Sequence, residues 1–309
     1  MTRTAQAQPT SRADATESWA VLPATDGYPL AVTSFGDSTT ARAAVLIVPG
    51  MGIKQEYYAS FARWLASRKF FVLTFDYRGM GRSRPAEHAK SLRGFHADLS
   101  TWVERDCAAM VEYLHAVMDC RPVFWIGHSL GGQLLGLLPN HERITAAVTV
   151  GAGSGYWLEN AARLRRSVWA LWYVVAPIAL KLHGYFPGTR LRMIGDLPDG
   201  VMRQWRRWCL HRHYAAGAEG ERARAAYAQI RSPMFALSFS DDEFMSERGI
   251  ASLHRLYVNA PKQFEHVDPR TAGLARIGHF GFFRAESKNA LWHYVGAWLA
   301  DPGRWLGSR

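Results

Sequence analysis

The sequence predicts an α/β protein built on a mostly parallel sheet with helices on both faces. Short continuous apolar runs of strand length alternate with stretches whose apolar residues recur at helical spacing. The 309 residues suit one large α/β domain with an insertion, or two domains. Between an apolar strand and a helical pattern stands Gly127-His128-Ser129-Leu130-Gly131, a turn that fits an α/β sheet.

Composition bounds the reading. A hydrophobic content of 48% with 20% charged residues is that of a soluble globular chain and excludes disorder as the main state. The net charge of +11 gives a basic surface that suits anionic substrates, lipid headgroups or nucleic acid, but no nucleic-acid motif accompanies it. We therefore expect no nucleic-acid partner. Cys107, Cys120 and Cys209 show no C-x-x-C spacing, so neither a disulfide framework nor a zinc site is indicated, and a reducing cytoplasm is the expected location. No metal or cofactor is expected. Residues 1–17 read as a disordered tail without the apolar centre of a secretory signal. Val168 to Leu180 is too short to span a bilayer and contains Pro177, leaving contact with a membrane surface as a weaker option.

Along the chain, Asp26-Gly27 lies between two alternating segments from Trp19 to Phe35, the signal of a hairpin. Ala43 to Val48 is a continuous apolar run, as in a parallel strand covered on both faces, and ends in Pro49-Gly50-Met51-Gly52. Tyr58, Phe61, Trp64 and Leu65 mark a helix, and Phe70 to Phe75 a second buried strand ending in Asp76-Tyr77-Arg78-Gly79-Met80-Gly81. A long apolar stripe from Leu99 to Val117 predicts the next helix. Pro122 to Ile126 is the strand that leads to Ser129, and Leu134, Leu135 and Leu138 mark the helix behind it.

In a G-x-S-x-G turn the serine tolerates the crowded backbone only if its flanks lack side chains, which Gly127 and Gly131 satisfy. Ser129 is thus the candidate nucleophile. In a parallel sheet, ligands bind at the carboxyl ends of the strands. The segments Pro49 to Gly52 and Asp76 to Gly81 share that rim with Ser129. Gly79-Met80-Gly81 and Gly151-Ala152-Gly153 also follow strands, but lack the third glycine of a dinucleotide site.

Together, GHSLGG, the strand-end PGMG and FDYRGMGRS resemble the α/β-hydrolase superfamily across essentially residues 20 to 300. Within it, PGMGIKQEYYASFARWLASRKFFVLTFDYRGMGRS, GYFPG, DLPDGV and QWRRWC resemble a bacterial subgroup of predicted hydrolases of unassigned substrate. The resemblance implies the α/β-hydrolase fold and a Ser, then Asp or Glu, then His order of catalytic groups. It places the acid after Pro233 to Phe239, where Ser240-Asp241-Asp242-Glu243 follows. Asp242 is preferred and Asp241 is the alternative. The base is implied at His279, in a glycine-bracketed loop after the apparent strand Gln263 to Val267 and before a last helix marked by Leu291, Val295, Trp298 and Leu299. The oxyanion donors implied are the backbone N–H groups of Leu130 and Met51. Relatives often carry His-Gly where this chain has Pro49-Gly50. Asp76 and Arg78 are read as an ionised pair that fixes a loop, and His128 as structural. His183, His211 and His213 have no acidic neighbours at ligand spacing.

Between Val150 and Pro233 the chain spends roughly eighty residues, more than one crossover needs. We read 155–230 as a helical cap inserted into a core of 18–154 and 231–309. Its aromatic residues Tyr156, Trp157, Trp169, Trp172 and Trp205 are candidates for binding an apolar acyl or aryl group, and its arginines for an anionic one. The same residues equally suit a cap core with a wet face. The expected function is a cofactor-independent serine hydrolase acting on a small-molecule ester or thioester through an acyl-enzyme. Acyl transfer by the same triad, and a non-catalytic binding protein of this fold, are the alternatives.

Overall fold

The computed structural model describes residues 17–119 and 121–303. The expected tail therefore lies outside the described residues, except for Glu17. That residue is no part of a tail: it opens strand β1 (Glu17–Pro23), pairs with Phe35 and forms an ion pair with Arg63. Strand β2 (Pro29–Phe35) returns antiparallel after the Asp26-Gly27 turn, where Gly27 takes φ 83°.

Strands β3 (Ala43–Val48), β4 (Phe70–Phe75), β5 (Val123–His128) and β6 (Ala146–Val150) are buried at every residue. Their continuous apolar sequences follow from this, since both faces are covered. After a short antiparallel pair, β7 (Tyr185–Phe186) with β8 (Leu197–Pro198), come β9 (Met234–Phe239) and β10 (Lys262–Val267). The large sheet has the order β1-β2-β4-β3-β5-β6-β9-β10. Only β2 runs antiparallel to its neighbours; from β4 to β10 every pairing is parallel.

The alternation of side chains along each strand divides the core in two. On β3, Ala44, Leu46 and Val48 pack with Leu99, Val103, Met110 and Leu114 of a helix over residues 99–117. The intervening Val45 and Ile47 face the opposite layer, with Phe61 and Leu65 of helix Ala59–Ala66 and Leu291 and Val295 of helix Lys288–Ala300. The helix over 99–117 is capped by Asp98, whose carboxylate accepts from the Thr101 N–H at 2.7 Å. Its segment Trp102–Cys107 is wound as a π-helix. There the Trp102 indole donates to the Arg78 carbonyl at 3.2 Å, and Asp106 meets Arg78, so the irregular turn serves the loop after β4.

Strand β5 continues two residues beyond the predicted Ile126, because Gly127 and His128 still pair with Thr149 and Val150 of β6. Ser129 then stands at the very end of the strand. Between β6 and β9 the chain forms helix Ala162–Arg165, a helix over 168–183, helices Asp199–Leu210 and Tyr214–Ala218, and helix Glu221–Gln229. The helix over 168–183 ends at Gly184, which takes the left-handed conformation with φ 72°. Among the described residues, no helix is long and apolar enough to cross a membrane. Cys107 and Cys209 are buried free thiols.

Candidate active site

The turn after β5 forces Ser129 into φ 50°, ψ −114°, a conformation that L-residues rarely adopt. Its N–H is held by the Val150 carbonyl at 3.0 Å. The backbone on either side of Ser129 is packed too closely for any residue but glycine. A Cβ on Gly127 would lie 2.4 Å from the Gly132 nitrogen, and one on Gly131 would lie 2.1 Å from the Val48 carbonyl oxygen. Neither contact yields, since both partners are backbone.

Each of the three consecutive carboxylates after β9 has its own task. Asp242 Oδ2 accepts from His279 Nδ1 at 2.9 Å, while its Oδ1 accepts from the N–H groups of Phe244 and Met245, each at 2.8 Å. Asp241 accepts from the N–H groups of Ile277 and Gly278 at 2.9 and 3.0 Å. Glu243 accepts from the His279 N–H at 3.0 Å and pairs with Arg276. Asp242 thus holds the imidazole ring, and its two neighbours hold the backbone that carries it. With Nδ1 donating, Nε2 of His279 is left as an acceptor. Ser129, Asp242 and His279 are buried to 9%, 7% and 4% residual exposure.

Beneath the acid and the ring lies Gly151 at φ 56°, where a Cβ would sit 3.3 Å from Asp242 Oδ2 and 3.4 Å from His279 Nδ1. The Gly151-Ala152-Gly153 string therefore has a use unrelated to nucleotides. Phe244 packs edge-on against the His279 ring at 4.9 Å.

His128 is fully buried and ties three loops together. The Gly50 N–H donates to the Tyr58 hydroxyl at 2.9 Å, and that hydroxyl is 2.9 Å from His128 Nδ1. On its other side His128 Nε2 is 3.0 Å from the His279 carbonyl oxygen. Burial, with His279 nearby, pulls the His128 pKa down to about 3, so the ring is neutral. The neutral tautomer accepts at Nδ1 from Tyr58 and donates at Nε2 to His279. Tyr58 was legible only as part of an apolar helical stripe; its hydroxyl holds the Gly50 N–H of the loop after β3.

Asp76 and Arg78 are not paired with each other. Buried Asp76 accepts from the Gln55 and Arg82 N–H groups, both at 2.9 Å. Arg78 is clamped between Asp26, at 2.7 and 2.8 Å, and buried Asp106 at 2.7 Å. Sequence reasoning missed Asp106, a lone acid on the buried side of an otherwise apolar stripe.

Ser129, Leu130, Met51 and His279 border one cavity of about 140 Å³. Leu164, Val168, Leu171, Trp172 and Trp205 wall its far side, with Phe186, Met193 and Ile194 from the β7–β8 region. Of the aromatic candidates, Trp172 and Trp205 line it and stack edge-on at 4.9 Å. Tyr156, Trp157 and Trp169 do not. Tyr156 borders a separate surface cleft, Trp157 packs edge-on to Tyr173 at 6.5 Å, and Trp169 is half exposed with its indole N–H on the Arg166 carbonyl at 3.1 Å. The helix over 168–183 is apolar on both faces and π-wound over Leu171–Val175, so a regular helical period does not tell inner from outer residues.

Comparison with known proteins bears on this geometry. The serine aminopeptidase family S33 matches residues 39–198, more than half of the chain and the part that carries Ser129. The chain belongs to this family. It is an α/β-hydrolase of the serine type. No curated protein sequence matches it. Among solved structures, an esterase of Pyrococcus furiosus is similar at 15% identity and TM-score 0.60, over 95% of this chain and 92% of that one. A soluble variant of the monoglyceride lipase of Saccharomyces cerevisiae, in complex with a substrate analogue, is similar at 15% identity and TM-score 0.66, over 94% of this chain and 97% of that one. At such identity the likeness concerns the fold.

In this S33-family chain the helix that follows Ser129 is also tied to the region above it. Gln133 donates to the Gly153 carbonyl at 2.7 Å and accepts from the Tyr214 hydroxyl at 2.6 Å. Among the described residues, no group of His, Cys, Asp and Glu is arranged to hold a metal ion.

Proposed function

We propose that the protein is a serine hydrolase that cleaves a small carboxylic ester or thioester through an acyl-enzyme, with Ser129, His279 and Asp242 as its triad. The observation that carries this reading is the 2.9 Å contact between Asp242 and His279 beside a Ser129 held at φ 50°, with Ser129 and His279 bordering one largely apolar cavity.

In this mechanism Ser129 Oγ attacks the substrate carbonyl carbon while His279 Nε2 takes its proton. Asp242 keeps the ring in the required tautomer and stabilises the imidazolium that forms. The backbone N–H groups of Leu130 and Met51 receive the developing oxyanion. His279 then gives its proton to the departing alkoxide or thiolate. Water, deprotonated by the same ring, attacks the acyl-enzyme, and the proton returns to Ser129 as the acid leaves.

An ester or thioester is favoured over the peptide substrate of an aminopeptidase by the cavity wall. An aminopeptidase must hold a substrate ammonium, and among the described residues no Asp or Glu lines this cavity. Burying an unpaired ammonium there is costly. The volume of about 140 Å³ is close to the ~150 Å³ of an apolar cavity that admits benzene, so an acyl or aryl group of about six carbons fits.

A graded series of p-nitrophenyl esters and acyl thioesters, run beside aminoacyl p-nitroanilides, tests the reading. Ester hydrolysis with an optimum near six carbons is expected. A higher kcat/KM on free-amino anilides than on any ester would overturn the substrate class while leaving the serine mechanism in place.

A further inference from the structure

The helix over residues 168–183 has two apolar faces with different partners. Its inner face, including Val168, Leu171 and Trp172, walls the cavity beside Ser129. Its outer face presents Trp169, Tyr173, Val174, Ile178 and Leu182 to solvent, at 50, 54, 43, 53 and 63% exposure. These are five of the twelve large hydrophobic side chains exposed among the described residues. Scattered exposed apolar residues need no explanation, but a row of them along one helix does. Nearby in sequence, Leu191 and Met193 are also exposed. Met193 in addition lines the cavity, which places a mouth of the cavity beside this exposed residue.

The charge around the row has one sign. From Asn160 to Gly195 the chain contains no Asp or Glu. Arg163, Arg165 and Arg166 precede the row, Lys181 lies within it, and Arg190 and Arg192 follow, all of them exposed. Among the described residues none of these six takes part in an ion pair. A second copy of the chain would bring the same cations against them, on a molecule that already carries +11. A surface of anionic lipid headgroups complements them, and the Trp and Tyr rings suit the level between headgroup and acyl chain.

We propose that the outer face of the helix over 168–183 is a docking surface for an anionic phospholipid bilayer. The helix lies in the plane of the interface, with its apolar row entering the lipid and Lys181 and the flanking arginines on the headgroups. Docking in this orientation turns the mouth beside Met193 toward the membrane, so the helix separates lipid on one side from the cavity on the other. Docking requires no chemistry at Ser129, and it stands or falls apart from the catalytic reading.

The full-length chain is co-sedimented with vesicles of phosphatidylcholine alone and of phosphatidylcholine with 30 mol% phosphatidylglycerol, at low and high salt. The same samples are assayed on a soluble short-chain ester. We expect binding to the anionic vesicles that weakens at least tenfold in high salt and with neutral vesicles. Ile178→Glu with Leu182→Glu should weaken it at least tenfold while activity on the soluble ester is unchanged. Arg163→Glu with Arg165→Glu should remove the preference for anionic vesicles. Ser129→Ala should bind as the parent does and lose activity on the soluble ester, so activity retained in that variant counts against the catalytic reading alone. The proposal is overturned by absence of binding to either vesicle at low salt, or by binding that the Ile178 and Leu182 substitutions leave unchanged. It is equally overturned by a solution dimer that those substitutions dissolve, which would make the row a contact between copies.

Discussion

Asp241 and Asp242 are adjacent carboxylates with different loads. Asp242 holds the His279 ring, whereas Asp241 holds the Ile277 and Gly278 backbone. Removing each should have a different signature. Asp242→Asn keeps the size and the two backbone contacts but favours the wrong tautomer of His279, and kcat should fall by about 10⁴ with little change in melting temperature. Asp241→Ala leaves two N–H groups without their acceptor and should cost roughly 2 kcal/mol of stability with a far smaller loss of kcat. Chemical unfolding and initial rates on one ester separate the two. If Asp241→Ala loses kcat as Asp242→Asn does, the division of labour described here is wrong.

At the scale of elements, the wall of the cavity belongs to the helix over 168–183 and to helix Asp199–Leu210, through Trp172 and Trp205. Trp172→Ala should enlarge the cavity and move the chain-length optimum of ester hydrolysis to longer acyl groups, read as a shift in the kcat/KM maximum across the series. An unchanged optimum would mean that the acyl group binds elsewhere. These elements were also the least legible in the sequence. Strands β3 to β6 were readable because burial on both faces leaves an uninterrupted apolar run, and the turn at Ser129 because its backbone permits only glycine at Gly127 and Gly131. Trp169 and Trp172 look alike in a helix with two apolar faces, and only packing separates them. Tyr58 and Asp106 were missed for a related reason. Each hides a polar atom inside an apolar stripe, and its partners, Gly50 with His128 in one case and Arg78 in the other, come from distant parts of the chain.

For the whole molecule, two buried neutral histidines contribute a loss of stability in acid. His128 joins the loop after β3 to the His279 loop. His254 lies between the Ile250 carbonyl at 2.7 Å and the Thr149 hydroxyl at 2.9 Å. Burial lowers their pKa values from 6.5 to about 3 and about 4. Between pH 6.5 and about 4 the unfolded chain binds a proton at each site and the folded chain does not, so stability is lost as pH falls through 6.5. The slope contributed approaches about 1.4 kcal/mol per pH unit for each histidine. Urea unfolding between pH 7.5 and pH 5 should show His254→Gln losing less stability than the parent as pH falls; equal slopes in the two proteins would contradict a buried neutral His254. The central claim, that Ser129 is a nucleophile activated by His279 and Asp242, is tested most directly by intact-mass analysis after exposure to a fluorophosphonate. The account predicts one adduct, on Ser129, absent in Ser129→Ala and much slower to form in Asp242→Asn. A folded protein that takes up no label, or takes it up equally well in Ser129→Ala, would contradict it.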